Sequence, residues 1–275
     1  MQPATATSSF APGTRGKFPA WTQLLSHFLL AVGFLVALTS VATKEDANWP
    51  VAVLMLLAAA DTLIALTRQL PAQNVWLAAF AVAFIGGTAH GIGAKSGIPF
   101  GPFMFAPDAG QKLFGILPWA IPLLWMIAVL NSRGVARLIL RPWRKIHAYG
   151  FWLIGLTALL TMLFDYALEP FAAHAKHFWI WTTTDYSLTP QGAPASNSVG
   201  WFMVTLLILA FVTPAMINKQ LSKRSAPDFH PLSVWVGAVL LFATGAALHG
   251  LWLMTAINVI LSVVVAVFAI RGARW

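Results

Sequence analysis

Eight apolar segments, each close to the length of a membrane span, follow one another along the chain and constrain its fold more than any other feature. A helix needs about 20 mainly apolar residues to cross the roughly 30 Å hydrocarbon core of a bilayer. Only 9% of the 275 residues are charged, whereas soluble domains carry about 25%. We therefore predict an all-α, polytopic transmembrane helical bundle with about eight spans, at residues 22–42, 50–68, 74–93, 114–131, 149–168, 199–217, 231–248 and 252–270.

The basic residues sort to one side of the membrane when alternate loops are assigned to opposite sides. That side receives Arg68, the arginine-rich segment 132–148, the segment 218–224 and the C-terminal arginines. Because short loops rich in Lys and Arg stay in the cytoplasm, we predict a multi-pass protein of a bacterial inner (plasma) membrane with both termini cytoplasmic. The net charge of +9 lies in these loops, not in a basic stripe, which argues against nucleic-acid binding.

The chain divides into a short polar tail and one long apolar region. Residues 1–21 are rich in Pro, Ala and Thr, so we predict a disordered cytoplasmic tail, followed by a single helical membrane domain over residues 22–275. Residues 40–42 resemble a signal-peptidase site, but the preceding apolar run is long for a signal sequence. We therefore predict an uncleaved first span. The sequence contains no cysteine, which excludes disulfides and thiolate metal ligands.

Two long segments, 94–113 and 169–198, fall together on the side opposite the basic loops. The first carries the most unusual backbone signal, and we predict that it forms a turn that re-enters the outer membrane edge, built by Gly97, Pro99, Phe100 and Gly101. His90 would lie just below this turn, on the same side as the acids of the second segment. The sequence thus predicts that both segments meet at one face of the bundle.

Asp165 and Glu169 are spaced so that they share one face of a helix. Ionisable groups within a span usually face the bundle interior, and an apolar site disfavours the charged form of a carboxyl group. These are the properties of a general acid. Alternatively, the helix simply reaches the interface here and Glu169 begins the loop. The rings that follow would stabilise a nearby cation or bind a long apolar molecule without reacting, and they are Trp179, Trp181 and Tyr186.

Metal chemistry is less well supported by the sequence. Carboxylates suit the Mg²⁺ ions of a membrane prenyltransferase, but such an enzyme needs a second acid-rich motif, and the remaining candidate acids stand alone in the sequence, at Asp61, Asp108 and Asp185. Histidines that could ligate a metal or haem are scattered over loops and spans, at His27, His90, His174, His177 and His249. We predict no metal site and no cofactor.

Two stretches resemble the motifs of a known family. They read "GIGAKSGIPFGPFMF" followed by "GILPWAIPLLW", and "DYALEPFAAHAKHFWIW" followed by "YSLTPQGAPASNSVGW". Together they are similar to the carotenoid biosynthesis membrane protein family, which includes carotenoid 1,2-hydratases of the bisanhydrobacterioruberin hydratase type. The resemblance covers roughly residues 80–205 and keeps the order of the motifs.

The resemblance implies hydration, without a cofactor, of the terminal double bond of a linear carotenoid. It implies catalytic roles for Asp165 and Glu169, to which we add His90. The substrate-binding residues that it and the aromatic cluster indicate are Gly97, Pro99, Phe100, Phe103, Trp179, Trp181, Tyr186, Asn197 and Trp201. The chain departs from the family pattern at two of these positions, because a glutamate is usual in place of His90 and a tyrosine in place of Phe103.

The hypothesis for the reaction has three steps. A protonated Asp165 or Glu169 donates to the terminal alkene, the rings hold the resulting tertiary cation, and water positioned by the other carboxylate or by His90 adds to it. The implied partners are a linear carotenoid or other long isoprenoid, membrane lipid and other carotenoid-pathway enzymes. The rival functions are a non-catalytic carotenoid- or isoprenoid-binding membrane protein, favoured by the two departures, and a prenyltransferase-like enzyme. A small-solute transporter is disfavoured because the sequence shows no inverted repeat.

Overall fold

The computed structural model describes residues 20–43, 48–182, 192–217 and 226–275. Within these ranges, eight helices are long and apolar enough to cross a membrane, which confirms the predicted helical bundle. They are α1 (Ala20–Ala42), α2 (Trp49–Thr67), α3 (Ala72–Ser96), α4 (Ala120–Ile139), α5 (Tyr149–Glu169), α6 (Ala195–Val212), α7 (His230–Leu248) and α8 (Trp252–Ala273). Nearly all of the predicted tail, residues 1–19, lies outside the described residues.

Successive helices run in opposite directions, so the bundle has two distinct ends. We call the end that holds the start of α1 and the finish of α8 the terminal end, and the opposite end the loop end. Side-chain hydrogen bonds link several helices at the terminal end. Arg137 on α4 donates to Gln69 Oε1 at 3.0 Å, and Gln69 in turn donates to Asp228, just before α7, at 2.6 Å. The side of the membrane on which each end lies remains a prediction.

Helix α4 differs most from its predicted bounds. The sequence predicted a span over 114–131, but the helix begins at Ala120 and continues to Ile139. The prediction was wrong because it took Arg133 as the mark of a loop. Arg133 instead lies within the helix, 6% exposed, and donates to the carbonyl oxygen of Met216 at 3.0 Å. Residues 117–118, predicted to be helical, form a strand.

Within the described residues, four short strands lie at the loop end, three of them where the sequence had predicted loops. Strand β1 (Phe103–Phe105) pairs antiparallel with β4 (Trp179–Trp181), and β2 (Lys112–Leu113) pairs with β3 (Leu117–Pro118). The first pair joins the two long segments that were predicted to meet at one face, and this prediction is confirmed. Because side chains alternate along a strand, Phe103, Phe105 and Trp179 point into the bundle while Met104 and Ile180 are exposed.

The glycine-rich turn after α3 drives one aromatic ring into the bundle. Gly97 and Gly101 have φ angles of 76° and 102°, a region that only glycine adopts readily. The turn between them leaves Phe100 fully buried. Two further glycines make room for this ring, since a Cβ atom at Gly93 or Gly200 would approach it to 2.7 Å. The predicted re-entrant turn therefore contributes to the core beneath the loop end.

Candidate active site at the loop end

A pair of buried carboxyl groups forms the centre of the candidate site. Asp165 and Glu169 lie in the last turn and a half of α5, and their exposed fractions are 0% and 1%. Asn197 on α6 bridges them, because its Nδ2 donates to Asp165 Oδ2 at 2.8 Å and to Glu169 Oε1 at 3.0 Å. The pair thus lies inside the bundle, and not at an exposed helix end.

The chain changes its backbone conformation directly after this pair. Helix α5 ends at Glu169 and continues as a single π-helical turn, Pro170–Ala175. Such turns are frequent at functional sites. This turn leads into strand β4, which places the indoles of Trp179 and Trp181 back over Glu169. Both indole Nε1 atoms donate to Glu169 Oε2 at 3.2 Å.

The two carboxyl groups therefore have different surroundings. Three N–H donors converge on Glu169, from Asn197, Trp179 and Trp181. Asp165 accepts one hydrogen bond at Oδ2, and its Oδ1 has no hydrogen-bond partner within the described ranges. All of these donors are neutral, so no cation among these contacts compensates a negative charge on either group.

His90 lies beside the carboxyl pair with a defined orientation. Its Nδ1 accepts a hydrogen bond from Trp125 Nε1 at 2.9 Å. A ring nitrogen that accepts carries no hydrogen, so the neutral ring carries its hydrogen on Nε2. Aromatic rings surround it, with Phe100 at 4.2 Å and Trp201 at 5.4 Å between centroids. Trp201 also stacks on Trp125 at 3.9 Å, so packing holds His90 in place.

A small polar cavity opens between these groups. Its volume of about 10 Å³ corresponds to room for about one water molecule. It is lined by His90, Phe103, Glu169, Trp179, Trp181 and Asn197. A buried water needs two to four polar partners, and the Glu169 carboxyl, the Asn197 amide and the His90 ring supply candidates.

A larger, apolar cavity is also lined by Trp179. It has a volume of about 260 Å³ and extends from Asn48 and Gly110 at the loop end to Phe34 and Val234 deeper in the bundle. Helices α1, α2, α4, α5 and α7 contribute its walls. Trp179 lines both cavities. The apolar cavity and the water-sized polar cavity therefore have one indole ring in common.

The structure gathers most of the predicted site residues in one region. Asp165, Glu169 and Asn197 are hydrogen-bonded together, with two predicted tryptophans on the same carboxyl group. The other predicted members in this region are His90, Phe100, Phe103 and Trp201. Gly97 and Pro99 shape the turn that carries Phe100, and Tyr186 lies outside the described residues.

Sequence reasoning missed the role of Trp125. It ends the quoted stretch "GILPWAIPLLW", but an apolar helix supplies no reason to single it out from the core. The available signal was its indole N–H, because a buried tryptophan usually finds a hydrogen-bond partner. Its partner, His90, is 35 positions away in the sequence.

Asp61 is the single acid of the second predicted span, and the structure gives it partners from two other helices. Its carboxylate contacts His27 on α1 and His230 on α7, together with Ser26. These residues are far apart in the sequence and lie at the terminal end, away from the carboxyl pair of α5. This second cluster is considered separately below.

Comparison with known proteins finds a matching family and a similar protein. Residues 50–267 match the family described as carotenoid biosynthesis protein. The chain belongs to this family. It is also 31% identical over 124 residues to bisanhydrobacterioruberin hydratase of Haloarcula japonica, an alignment that covers 44% of this chain and 39% of the hydratase. No solved structure matches the chain significantly.

Family membership confirms the resemblance predicted from the two motif stretches. The match includes nearly all of α2, all of α3 to α7 and most of α8, and therefore every residue that lines the two cavities except Phe34, Asn48 and Trp49. The chain is a multi-pass membrane protein with a carotenoid-related function. The chain spans well under half the length of the hydratase that it resembles.

Proposed function

We propose that this protein hydrates the terminal double bond of a linear carotenoid by acid protonation and water capture, without a cofactor. The observation that carries the proposal is that Trp179 lines both an apolar cavity and a water-sized polar cavity that Glu169 also lines. Hydration needs an apolar alkene, an acid and one water molecule at a single place. The family and the similarity to a hydratase support the same reaction class.

The apolar cavity suits the end group of a long polyene. Its volume of about 260 Å³ is below the roughly 300–1,000 Å³ of clefts that enclose drug-sized ligands. It would therefore take one end of a carotenoid while the rest of the polyene lies in the bilayer. The end group must pass the edge of the Trp179 indole to meet Glu169.

Glu169 is the better candidate for the proton donor because it lines the polar cavity. Asp165 does not line this cavity and is linked to Glu169 by the Asn197 amide, which donates a hydrogen bond to both carboxyl groups. Two buried carboxyl groups so close together avoid mutual repulsion when they hold one proton between them. Asp165 would thus be a positioning residue that keeps a proton available at Glu169.

The reaction then balances with the groups at hand. Glu169 transfers its proton to the less substituted carbon of the terminal double bond, which leaves a tertiary cation. Water in the polar cavity forms the new C–O bond and returns one proton to the Glu169 carboxylate. The indole N–H groups of Trp179 and Trp181 stabilise that carboxylate, while the ring face of Trp179 stabilises the cation by about 0.5–2 kcal/mol. His90 holds the water through Nε2–H.

The alternative functions fit the site less well. A prenyltransferase needs carboxylate oxygens that are free to bind Mg²⁺, but three N–H donors already occupy the oxygens of Glu169. A non-catalytic carotenoid-binding protein would use the apolar cavity alone. It gives no role to the polar cavity, and its bound pigment would not depend on the carboxyl pair.

The test is the conversion of a linear carotenoid in a lycopene-producing bacterium, followed by liquid chromatography and mass spectrometry. We expect the parent chain to add about one water per end group. Glu169→Gln should abolish this gain in mass, whereas Asp228→Asn, which alters a carboxyl group at the terminal end, should retain it. Unchanged conversion by Glu169→Gln would contradict the mechanism. Pigment that co-purifies equally with both variants, without any gain in mass, would favour the binding function.

A further inference from the structure

A second constellation of ionisable groups lies at the terminal end and has no part in the reaction proposed above. It consists of His27 on α1, Asp61 on α2 and His230 on α7, whose potential ligand atoms all lie within 4.8 Å of one another. His27 Nδ1 is 2.7 Å from Asp61 Oδ1, and His230 Nε2 is 2.5 Å from Asp61 Oδ2. Three separate helices thus bring one candidate ligand atom each into one small region.

The arrangement is built into the interior and is not a chance surface contact. Asp61 is 0% exposed in the middle of an apolar helix, where an ionisable group is costly and usually functional. The rings of His27 and His230 stack at 5.0 Å between centroids with an interplanar angle of 15°. The His230 side chain is buried, while that of His27 is 38% exposed. His27 therefore reaches the surface of the bundle near the start of α1.

We propose that His27, Asp61 and His230 bind a divalent transition metal of the zinc class, with water as the fourth ligand. Two imidazoles and a carboxylate with one open position are a recurrent zinc ligand set. Nitrogen ligands select Zn²⁺ and similar ions over Mg²⁺ and Ca²⁺, which prefer oxygen. Binding requires the three side chains to adjust, so that the ion is about 2.0–2.2 Å from each ligand atom.

Neighbouring side chains supply the outer contacts that metal sites use. Ser26 Oγ donates to Asp61 Oδ1 at 2.5 Å, and the Gln23 side-chain amide lies 3.2 Å from His27 Nε2. Without metal, the His27 hydrogen lies on Nδ1 and points to Asp61. With metal on Nδ1, that hydrogen moves to Nε2, and a half-turn of the Gln23 amide presents its oxygen as the acceptor. Gln23 would thus orient the ligand ring, as outer-shell partners do.

The alternative is that no metal binds and that the hydrogen bonds of His27 and His230 to Asp61 only hold α1 and α7 against α2. Both readings predict that loss of Asp61 harms the fold, so stability does not separate them. Metal content does. The partly exposed His27 is the best position to alter, because replacing it removes a ligand with the smallest disturbance to the core.

The experiment uses the full chain in detergent, stripped with EDTA and then equilibrated with Zn²⁺. We expect about one tightly bound zinc ion per chain by elemental analysis, and a tetrahedral visible spectrum after substitution with Co²⁺. His27→Gln should lose the ion, and Gln23→Ala should weaken binding by about 10–100-fold. His249→Gln is the matched control, because His249 lies at the loop end and contacts a backbone carbonyl.

Two outcomes would overturn the proposal. One is a parent chain that retains no zinc after equilibration, and the other is equal bound zinc in the parent and His27→Gln, which would place the ion elsewhere. Circular dichroism and gel filtration establish that the compared variants are equally folded. Because the readout is metal content, Glu169→Gln should bind zinc like the parent. The failure of either proposal is therefore distinguishable from the failure of the other.

Discussion

The two ends of the bundle hold their buried acids in opposite ways. At the loop end, Asp165 and Glu169 face an amide and two indoles, which are neutral donors. At the terminal end, Asp61 faces two imidazoles, which can carry a positive charge or bind a cation. A carboxyl group that must give a proton to an alkene benefits from neutral partners, since a nearby cation would hold it ionised. The difference in partners therefore separates an acid suited to chemistry from one suited to holding charge.

The strongest test of this difference between the two ends is to replace one acid at each end by its amide and to compare the effects on carotenoid hydration. Glu169→Gln should reduce carotenoid hydration by about 10²–10⁴-fold, because it removes the group that transfers the proton. Asp61→Asn should leave the turnover of the folded fraction unchanged. Product formed per folded chain, measured by chromatography with mass spectrometry, gives the answer. Comparable losses for the two variants would mean that both ends serve the reaction.

Removal of the amide that joins the carboxyl pair is expected to have the next largest effect. Asn197→Ala withdraws one N–H from Asp165 and one from Glu169. A hydrogen bond to a charged group contributes about 1.5–3 kcal/mol, so we expect conversion to fall roughly 10–100-fold. Ser196→Ala on the same helix turn, which removes a contact to a backbone carbonyl, is the control. Equal activity of the two variants would argue against a shared proton.

We expect the acid at the terminal end, Asp61, to matter for the stability of the fold, although we expect it not to matter for turnover. Asp61→Asn weakens contacts to three side chains on α1 and α7, and we expect the free energy of unfolding to fall by about 1–3 kcal/mol. Thermal unfolding in detergent, followed by circular dichroism, measures the change. Asp228→Asn, which alters a half-exposed acid at the same end, should shift the transition less. A larger shift for Asp228→Asn would show that the cluster does not hold the helices together.

The smallest expected difference concerns the two indoles on Glu169. Trp181→Phe removes one N–H donor from the carboxyl group, and we expect a loss of about 10-fold or less. Trp179→Phe removes the same kind of donor and also alters a ring that lines both cavities. It should therefore lower activity further. Initial rates with one linear carotenoid would compare them, and a more damaging Trp181→Phe would contradict the position given to Trp179.

Much of the architecture was predictable because each span carries its own signal. The apolar runs located eight helices. Because two of these helices, α4 and α5, lie between the segment that holds Phe103 and the segment that holds Trp179, both segments were predicted to lie at the same end of the bundle. The predicted end of α4 was wrong because Arg133 is buried within the helix, where its guanidinium group donates a hydrogen bond to the carbonyl oxygen of Met216. The acids and Asn197 were identified through their spacing and the family motifs.

The remaining parts of both sites depend on contacts between residues that are distant in the sequence. The Trp125–His90 hydrogen bond joins two helices, and nothing local to either residue indicates it. The cluster around Asp61 draws on positions 34 and 169 residues away. A single sequence shows these residues one at a time, each in an apolar setting. Only the packing of α1, α2 and α7 reveals that they face one another.

The modest size of the apolar cavity has a consequence for the order of events. A chamber of about 260 Å³ admits one tip of a long polyene, so a molecule with two reactive tips must withdraw, reverse in the bilayer and enter again. In the proposed reaction each visit would also consume one water molecule from the polar cavity, which would have to be replaced before the next. The singly modified compound should therefore accumulate early in a time course and the doubly modified one only after a lag.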